Sequence, residues 1–338
     1  MKSVLFINTP IKTVVLTAIS FLFMYGQANA QACCSGGVPL GGSLGLGTAD
    51  AQSIQFLMTY DRNVLRDLMD QRELLVDDTR ERMTHSLLNE INYGIGEKWS
   101  IATVIPIIRQ ERKIKNEFSD QTEFTVGQGL GDIMFLIKYS VLSSSLEQKW
   151  QWITGVGPKM PTGRSDLRNN NGFTMAADMQ PGSGSWDLML WNFIQKDGFL
   201  SPNLSWLLIS TYQLNGANDS YNNSQTYQFG NTLQITSGFN FNFFASWPID
   251  AFLFGRFRHQ PPDLIDDRPF PGSGGVWASV VPGININISP NLSFRSSVQL
   301  PVYRSLEGAQ LTTTYRTSFS LFYNLKLNKS KTLKFDEL

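Results

Sequence analysis

Hydrophobic and polar residues alternate one by one along most of this chain. Tyr227, Phe229, Leu233, Ile235, Phe239, Phe241 and Phe243 take alternate positions, and Gln228, Gly230, Thr232, Gln234, Thr236, Gly238, Asn240 and Asn242 fall between them. Adjacent side chains of a strand point to opposite faces, so the segment presents one apolar face and one of amides, hydroxyls and glycines. Tyr315, Phe319, Leu321, Tyr323, Leu325 and Leu327 repeat the pattern against Thr314, Arg316, Ser318, Ser320 and Asn324. Both segments are long enough to cross a bilayer as tilted strands, which takes about 9 to 11 residues. The same alternation predicts strands near 52–62, 81–94, 99–111, 129–142, 149–160 and 184–195. Six more follow near 203–214, 226–243, 249–259, 275–288, 292–303 and 311–327.

The connections alternate in kind. Short turns fall at 95–98, 143–148, 196–202, 244–248 and 289–291, and longer polar loops at 63–80, 112–128, 161–183, 215–225, 260–274 and 304–310. Short turns on one side and long loops on the other are how bacterial outer-membrane barrels are connected, with the turns periplasmic. The predicted fold is all-β, a transmembrane antiparallel up-and-down β-barrel of about 12 strands. Its first and last strands must pair, because an open edge in lipid leaves backbone donors and acceptors unsatisfied. Trp99, Trp150, Trp152, Trp186, Trp206 and Trp247 fall at or near strand ends, where interfacial girdle residues belong.

The N-terminus reads differently. Lys2 and Lys12 precede an apolar run from Thr13 to Tyr25, and Ala28-Asn29-Ala30 follows as a small-residue cleavage pattern. Residues 1–30 are therefore expected to be a secretory signal peptide. Residues 31–50, with Gly36, Gly37, Gly41, Gly42, Gly45 and Gly47, form a Gly-rich periplasmic or plug segment able to thread past other backbone. The barrel itself is placed at 51–327 and a charged periplasmic tail at 328–338.

Composition narrows the function. The 28 basic residues balance the 28 acidic ones without a basic cluster, which argues against nucleic acid as a partner. The two cysteines, Cys33 and Cys34, are adjacent and staple almost nothing. As thiolates they are candidate ligands for a soft metal such as copper, but no His, Met or further Cys between Gln31 and Phe56 completes a site. With His85 and His259 the only histidines, no residue set calls for a cofactor.

Counting parity from the apolar faces turns Glu90, Asp132, Lys138, Lys159, Asp187, Arg256, Arg295 and Arg316 toward the lumen. They either set a transverse field that orients a polar solute or pair with one another and hold a filled barrel together. Met189, Trp191, Phe193, Phe252 and Phe254 fall on the same inner face, as an apolar solute-binding patch or as packing against a plug.

Two short motifs carry a resemblance. Gly127-Gln128-Gly129-Leu130-Gly131-Asp132 leads into one strand, and Gly155-Val156-Gly157-Pro158-Lys159-Met160-Pro161-Thr162-Gly163 closes the next. In these the chain resembles the outer-membrane proteins of the MetA-pathway of phenol degradation family. The resemblance implies a barrel that passes small hydrophobic or aromatic molecules. The tail Asn328 to Leu338 stands where many barrels end on an aromatic, leaving Phe322 and Tyr323 as candidates for the assembly signal.

Enzymatic readings find little support. His85 is followed directly by Ser86, on the opposite face, and only His259 with Asp263, Asp266 and Asp267 places carboxylates near a histidine at a rim. The expectation is a non-enzymatic channel or passive transporter in the bacterial outer membrane. Its partners would be outer-membrane lipid, a small-molecule solute and the barrel-assembly machinery. The alternatives are a structural or adhesive barrel and a metal-related protein using the vicinal cysteines.

Overall fold

The computed structural model describes residues 47–115, 121–144, 149–242 and 248–327. The expected signal peptide, the two cysteines, most of the Gly-rich segment, Trp247 and the C-terminal tail lie outside them. Alternation does what it predicts: twelve strands form the wall, β1 (Ser53–Asp70), β2 (Arg80–Gly94), β3 (Trp99–Lys115), β4 (Ile133–Leu142), β5 (Trp150–Met160) and β6 (Asp187–Lys196), then β7 (Leu204–Leu214), β8 (Thr232–Phe241), β9 (Ile249–Gln260), β10 (Gly275–Ser289), β11 (Leu292–Leu306) and β12 (Gln310–Lys326). Each pairs antiparallel with its sequence neighbours. β1 closes the ring on β12, in register from Ser53 opposite Lys326 to Met69 opposite Gln310. The chain is a closed, twelve-stranded antiparallel barrel. Among the described residues no helix is long and apolar enough to cross a membrane, and closure leaves no strand edge to face lipid.

The two faces differ as the pattern requires. Phe56, Met58, Tyr60, Ile91, Ile101, Ile137, Leu190, Leu253, Phe319 and Leu321 are exposed on the outside, a surface that only a lipid environment covers. Trp99, Trp150, Trp152 and Trp186 are exposed at strand ends, as girdle residues are.

Three differences from the sequence reading have physical causes. β1 runs on to Asp70, through register shifts at Val64/Leu65 and Leu65/Asp67, where the expected strand stops at 62. A bulge interrupts the alternation without ending the pairing. The expected loop 112–128 is mostly wall: β3 continues to Lys115, and Thr122–Leu130 pairs back onto it. The expected strand 226–243 is two pieces. Gln225–Gln228 joins a small loop-side sheet with Ala217–Tyr221, Leu264–Ile265 and Arg268–Pro269, and β8 begins only at Thr232. Between them Gly230 passes so close to Pro261 that a Cβ would lie 2.0 Å from its carbonyl oxygen.

Candidate functional site

The turn-side half of the lumen is filled. Met189, Trp191, Phe193, Phe252 and Phe254 are buried together with Ala102, Val104, Met134, Leu136, Ile153, Leu207, Ile209 and Val281 in one cluster. Trp191 stacks on Phe193 with ring centroids 6.1 Å apart, and Phe252 on Phe254 at 4.7 Å. Glycines in neighbouring strands open slots for these rings. A Cβ on Gly283 would lie 2.2 Å from the Phe252 ring, and one on Gly238 2.8 Å from that of Phe254. The five apolar residues selected from the sequence thus converge on one floor, packed against one another.

Charge is threaded into that floor. Lys138 Nζ lies 3.2 Å from Glu90 Oε1, both side chains fully buried, and sits 4.7 Å above the Trp191 ring. The Arg295 guanidinium lies 5.3 Å over Phe252. Glu90 Oε2, Asn92 Oδ1, Ser100 Oγ and Trp191 Nε1 are buried without a hydrogen-bond partner, a seam of unsatisfied polar atoms through an otherwise apolar layer.

Loop-ward of the floor the lumen opens into a chamber of about 220 Å³. Asp132, Lys159 and Asp187 line one side and Arg256, Arg258 and Arg316 also face it, with Met134, Ile108, Pro106, Trp277 and Pro301 supplying apolar surface. Lys159 Nζ sits between two carboxylates, 2.6 Å from Asp132 Oδ2 and 2.7 Å from Asp187 Oδ2. The eight charged residues expected inside all point inward, but they do not form one row. Glu90, Lys138 and Arg295 belong to the floor, and the other five line the chamber.

The chain between β5 and β6 folds inward and lines one side of the chamber as a roof. Ala177–Met179 forms a short 3-10 turn with all three residues buried. Arg82, on the inner face of β2, forms an ion pair with Asp178 and also binds Gln110 and the Asp178 carbonyl. Gln180 folds the segment on itself: its Nε2 donates to the Leu167 and Met175 carbonyls, and its Oε1 accepts from the Leu167 N–H. Asp132 holds both ends of the segment. Its Oδ1 accepts from Gly163 N–H at 3.0 Å, and its Oδ2 from Ser183 N–H and Ser183 Oγ, both at 2.8 Å. Thr162 fixes the same corner, accepting from Ile133 N–H and donating to the Gly131 carbonyl.

This explains the two motifs. Gly127 and Gly129 face inward beside the roof: a Cβ on Gly127 would lie 2.1 Å from the Met179 carbonyl oxygen, and one on Gly129 3.4 Å from Pro181. Gly163 and Gly182 touch backbone to backbone, with 2.5 to 2.9 Å left for any Cβ. The sequence reading, which sought a plug at the N-terminus, missed the roof and with it Arg82, Asp178 and Gln180. Inward glycines at alternate positions of a wall strand were the available signal, because they leave room that something else fills. Of the Gly-rich segment, the described end does reach the turn-side mouth, where the Gly47 carbonyl accepts from Asn92 Nδ2 at 2.9 Å. The rim histidine is not assembled into a site: His259 is exposed, whereas Asp263 is buried and bound to Tyr227 Oη and Gly230 N–H.

The family model described as "Putative MetA-pathway of phenol degradation" matches residues 76–321. No curated protein matches the chain in sequence. Among solved structures, the COG4313 outer membrane channel from Pseudomonas putida F1 is similar with a TM-score of 0.66 at 10% identity, covering 86% of this chain and 100% of that one. The TodX monoaromatic hydrocarbon channel, as its deltaS2 mutant, gives a TM-score of 0.46 at 8% identity, covering 84% of this chain and 91% of that one. The toluene transporter TbuX of Ralstonia pickettii gives 0.41 at 8% identity, covering 86% and 99%. The likeness to the Pseudomonas channel establishes the fold alone.

Proposed function

The chain belongs to the MetA-pathway of phenol degradation family, and on that premise we propose that it is an outer-membrane channel or passive transporter for small hydrophobic or aromatic solutes, not an enzyme. The observation that carries this is the chamber. A volume of about 220 Å³, lined on one side by an inserted segment in a lumen whose other half is filled by packed side chains, suits one small molecule better than a stream of hydrated ions. A dry apolar cavity of about 150 Å³ is enough to hold benzene. A solute in the chamber meets both polar and apolar surface. To leave toward the periplasm it must part the floor.

Purified barrel in planar bilayers should show small or no steady salt conductance. Cells carrying it should take up phenol or toluene at low concentration faster than cells lacking it. Large steady conductance with no gain in aromatic uptake would replace this reading with a general porin, and neither activity would leave a structural barrel.

The same proposal includes secretion by a signal peptide at 1–30, assembly by the barrel machinery, and turns on the periplasmic side. Single cysteines placed in a background lacking Cys33 and Cys34 test the orientation. In intact cells Asn170→Cys and Asp219→Cys, both on the long-loop side, should react with a membrane-impermeant maleimide, and Ser144→Cys should not. The reverse pattern would invert the barrel.

A further inference from the structure

We infer that the chamber is a binding site for aromatic carboxylates, with the carboxylate held on its arginine side and the ring on the apolar lining. This rests on the chamber being the solute site, and it narrows the solute class.

The charges in the chamber are divided. On the β4 to β6 side, one lysine serves two carboxylates, and those carboxylates are saturated by other donors as well. Asp132 takes the bonds of Gly163 and Ser183, and Asp187 accepts from Ser185 Oγ at 2.9 Å, Gln213 Nε2 at 2.8 Å and Gly216 N–H at 3.0 Å. That side carries net negative charge and has little accepting capacity left for a ligand.

The other side is cationic. Arg256 and Arg258 are alternate residues of β9 and both face the chamber, as does Arg316 from β12. Asp61, on β1, lies within electrostatic reach of Arg256 and Arg316 and is itself bound to Ser318 Oγ. Arg256 spends its Nε on Thr236 Oγ1 at 3.2 Å and its Nη1 on Gln299 Oε1 at 2.7 Å, both neutral acceptors. Gln299 in turn donates to Ser279 Oγ at 3.1 Å and stands opposite Arg316 in the β11–β12 register. The guanidinium is thus aimed and fixed by neutral hydrogen-bond acceptors, and the single carboxylate of Asp61 offsets only part of the charge of the three arginines. A planar guanidinium matches a carboxylate in shape and charge better than any neutral polar group does.

The chamber also has apolar lining. Trp277 and Pro301 belong to the same cationic side, and Ile108, Pro106 and Met134 come from the far wall. The surface for a ring and the guanidinium for a carboxylate thus share one chamber. A plain hydrocarbon would leave the polar half of the chamber unmatched, and a small inorganic anion would leave the apolar half so.

The test is equilibrium binding to the folded, full barrel in lipid nanodiscs, with benzoate, benzyl alcohol and toluene as probes, read by calorimetry. Benzoate should bind at least about tenfold more tightly than benzyl alcohol, the scale of one charge-assisted contact, and added salt should weaken benzoate only. Arg256→Gln, alone and with Arg316→Gln, should lower the ratio of benzoate to toluene affinity by about tenfold or more, and Arg256→Lys should recover part of it. Heat-modifiable gel mobility confirms that each variant is folded. If toluene binds and benzoate binds no better than benzyl alcohol, the carboxylate inference is overturned and the aromatic-solute reading stands. If none of the three binds the unaltered barrel, the chamber reading itself falls, and this inference with it.

Discussion

Changing Asp132 to alanine is expected to speed several-fold the labelling, by a water-soluble maleimide, of a Ser279→Cys probe inside the chamber. One carboxylate holds both ends of the roof, through Gly163 N–H, Ser183 N–H and Ser183 Oγ. Hydrogen bonds to a charged group contribute about 1.5 to 3 kcal/mol each, so alanine removes the one charged anchor that both ends share and leaves them to Thr162 and to Lys159 on Ser183. Lys159 is not stranded by the change, because Asp187 remains 2.7 Å away, and the barrel itself should stay folded. The roof would then swing out on its remaining ties, the Arg82–Asp178 pair chief among them. Labelling rates of Asp132→Ala beside Asp132→Asn separate the charge from the geometry. An unchanged rate in a folded Asp132→Ala barrel would mean that the remaining ties, Arg82 to Asp178, Lys159 to Ser183 and Gln110 to Gln180, hold the roof.

Changing Glu90 to alanine should destabilise the folded barrel by about 3 to 5 kcal/mol, the usual cost of removing one partner of a buried ion pair. Lys138 has no exposed surface and sits over Trp191 in the apolar floor. Removing both charges together, as Glu90→Leu with Lys138→Met, should cost far less, with the double change near neutral or stabilising. Urea unfolding in lipid vesicles measures both. If the single and double changes cost the same, the pair is not coupled and the floor is held by its aromatics alone.

Much of this was legible in the sequence because a period of two reports two things at once. It marks each strand, and it says which residues face in. Glu90, Lys138, Trp191 and Phe252 were turned inward by parity alone, and the wall follows the expected strand count. What parity cannot report is a change of partner within a continuing alternation. Tyr227 and Phe229 keep the rhythm of β8 but belong to the loop-side structure, where Asp263 holds Tyr227 Oη and Gly230 N–H. Nor does it report a loop that folds inward. The roof has no period, and its contacts join Arg82 to Asp178 and Asp132 to Ser183 across 96 and 51 positions of chain. The sequence showed lumen residues without showing that they would be divided into a closed floor and a chamber above it.

The seam between β1 and β12 sets a condition on how the molecule is made. Ser53 pairs with Lys326 and Met69 with Gln310, so the contact that completes the wall joins the first strand to the last. Pairing at such separation is slow, since the entropy of closing so long a loop is lost before any contact offsets it. Until it forms, every intermediate carries two open edges that lipid cannot satisfy. Assembly should therefore be all-or-none with respect to the final strand: a chain ending before β12 has no smaller barrel to fall back on, and its first strand must be kept covered until the last one arrives.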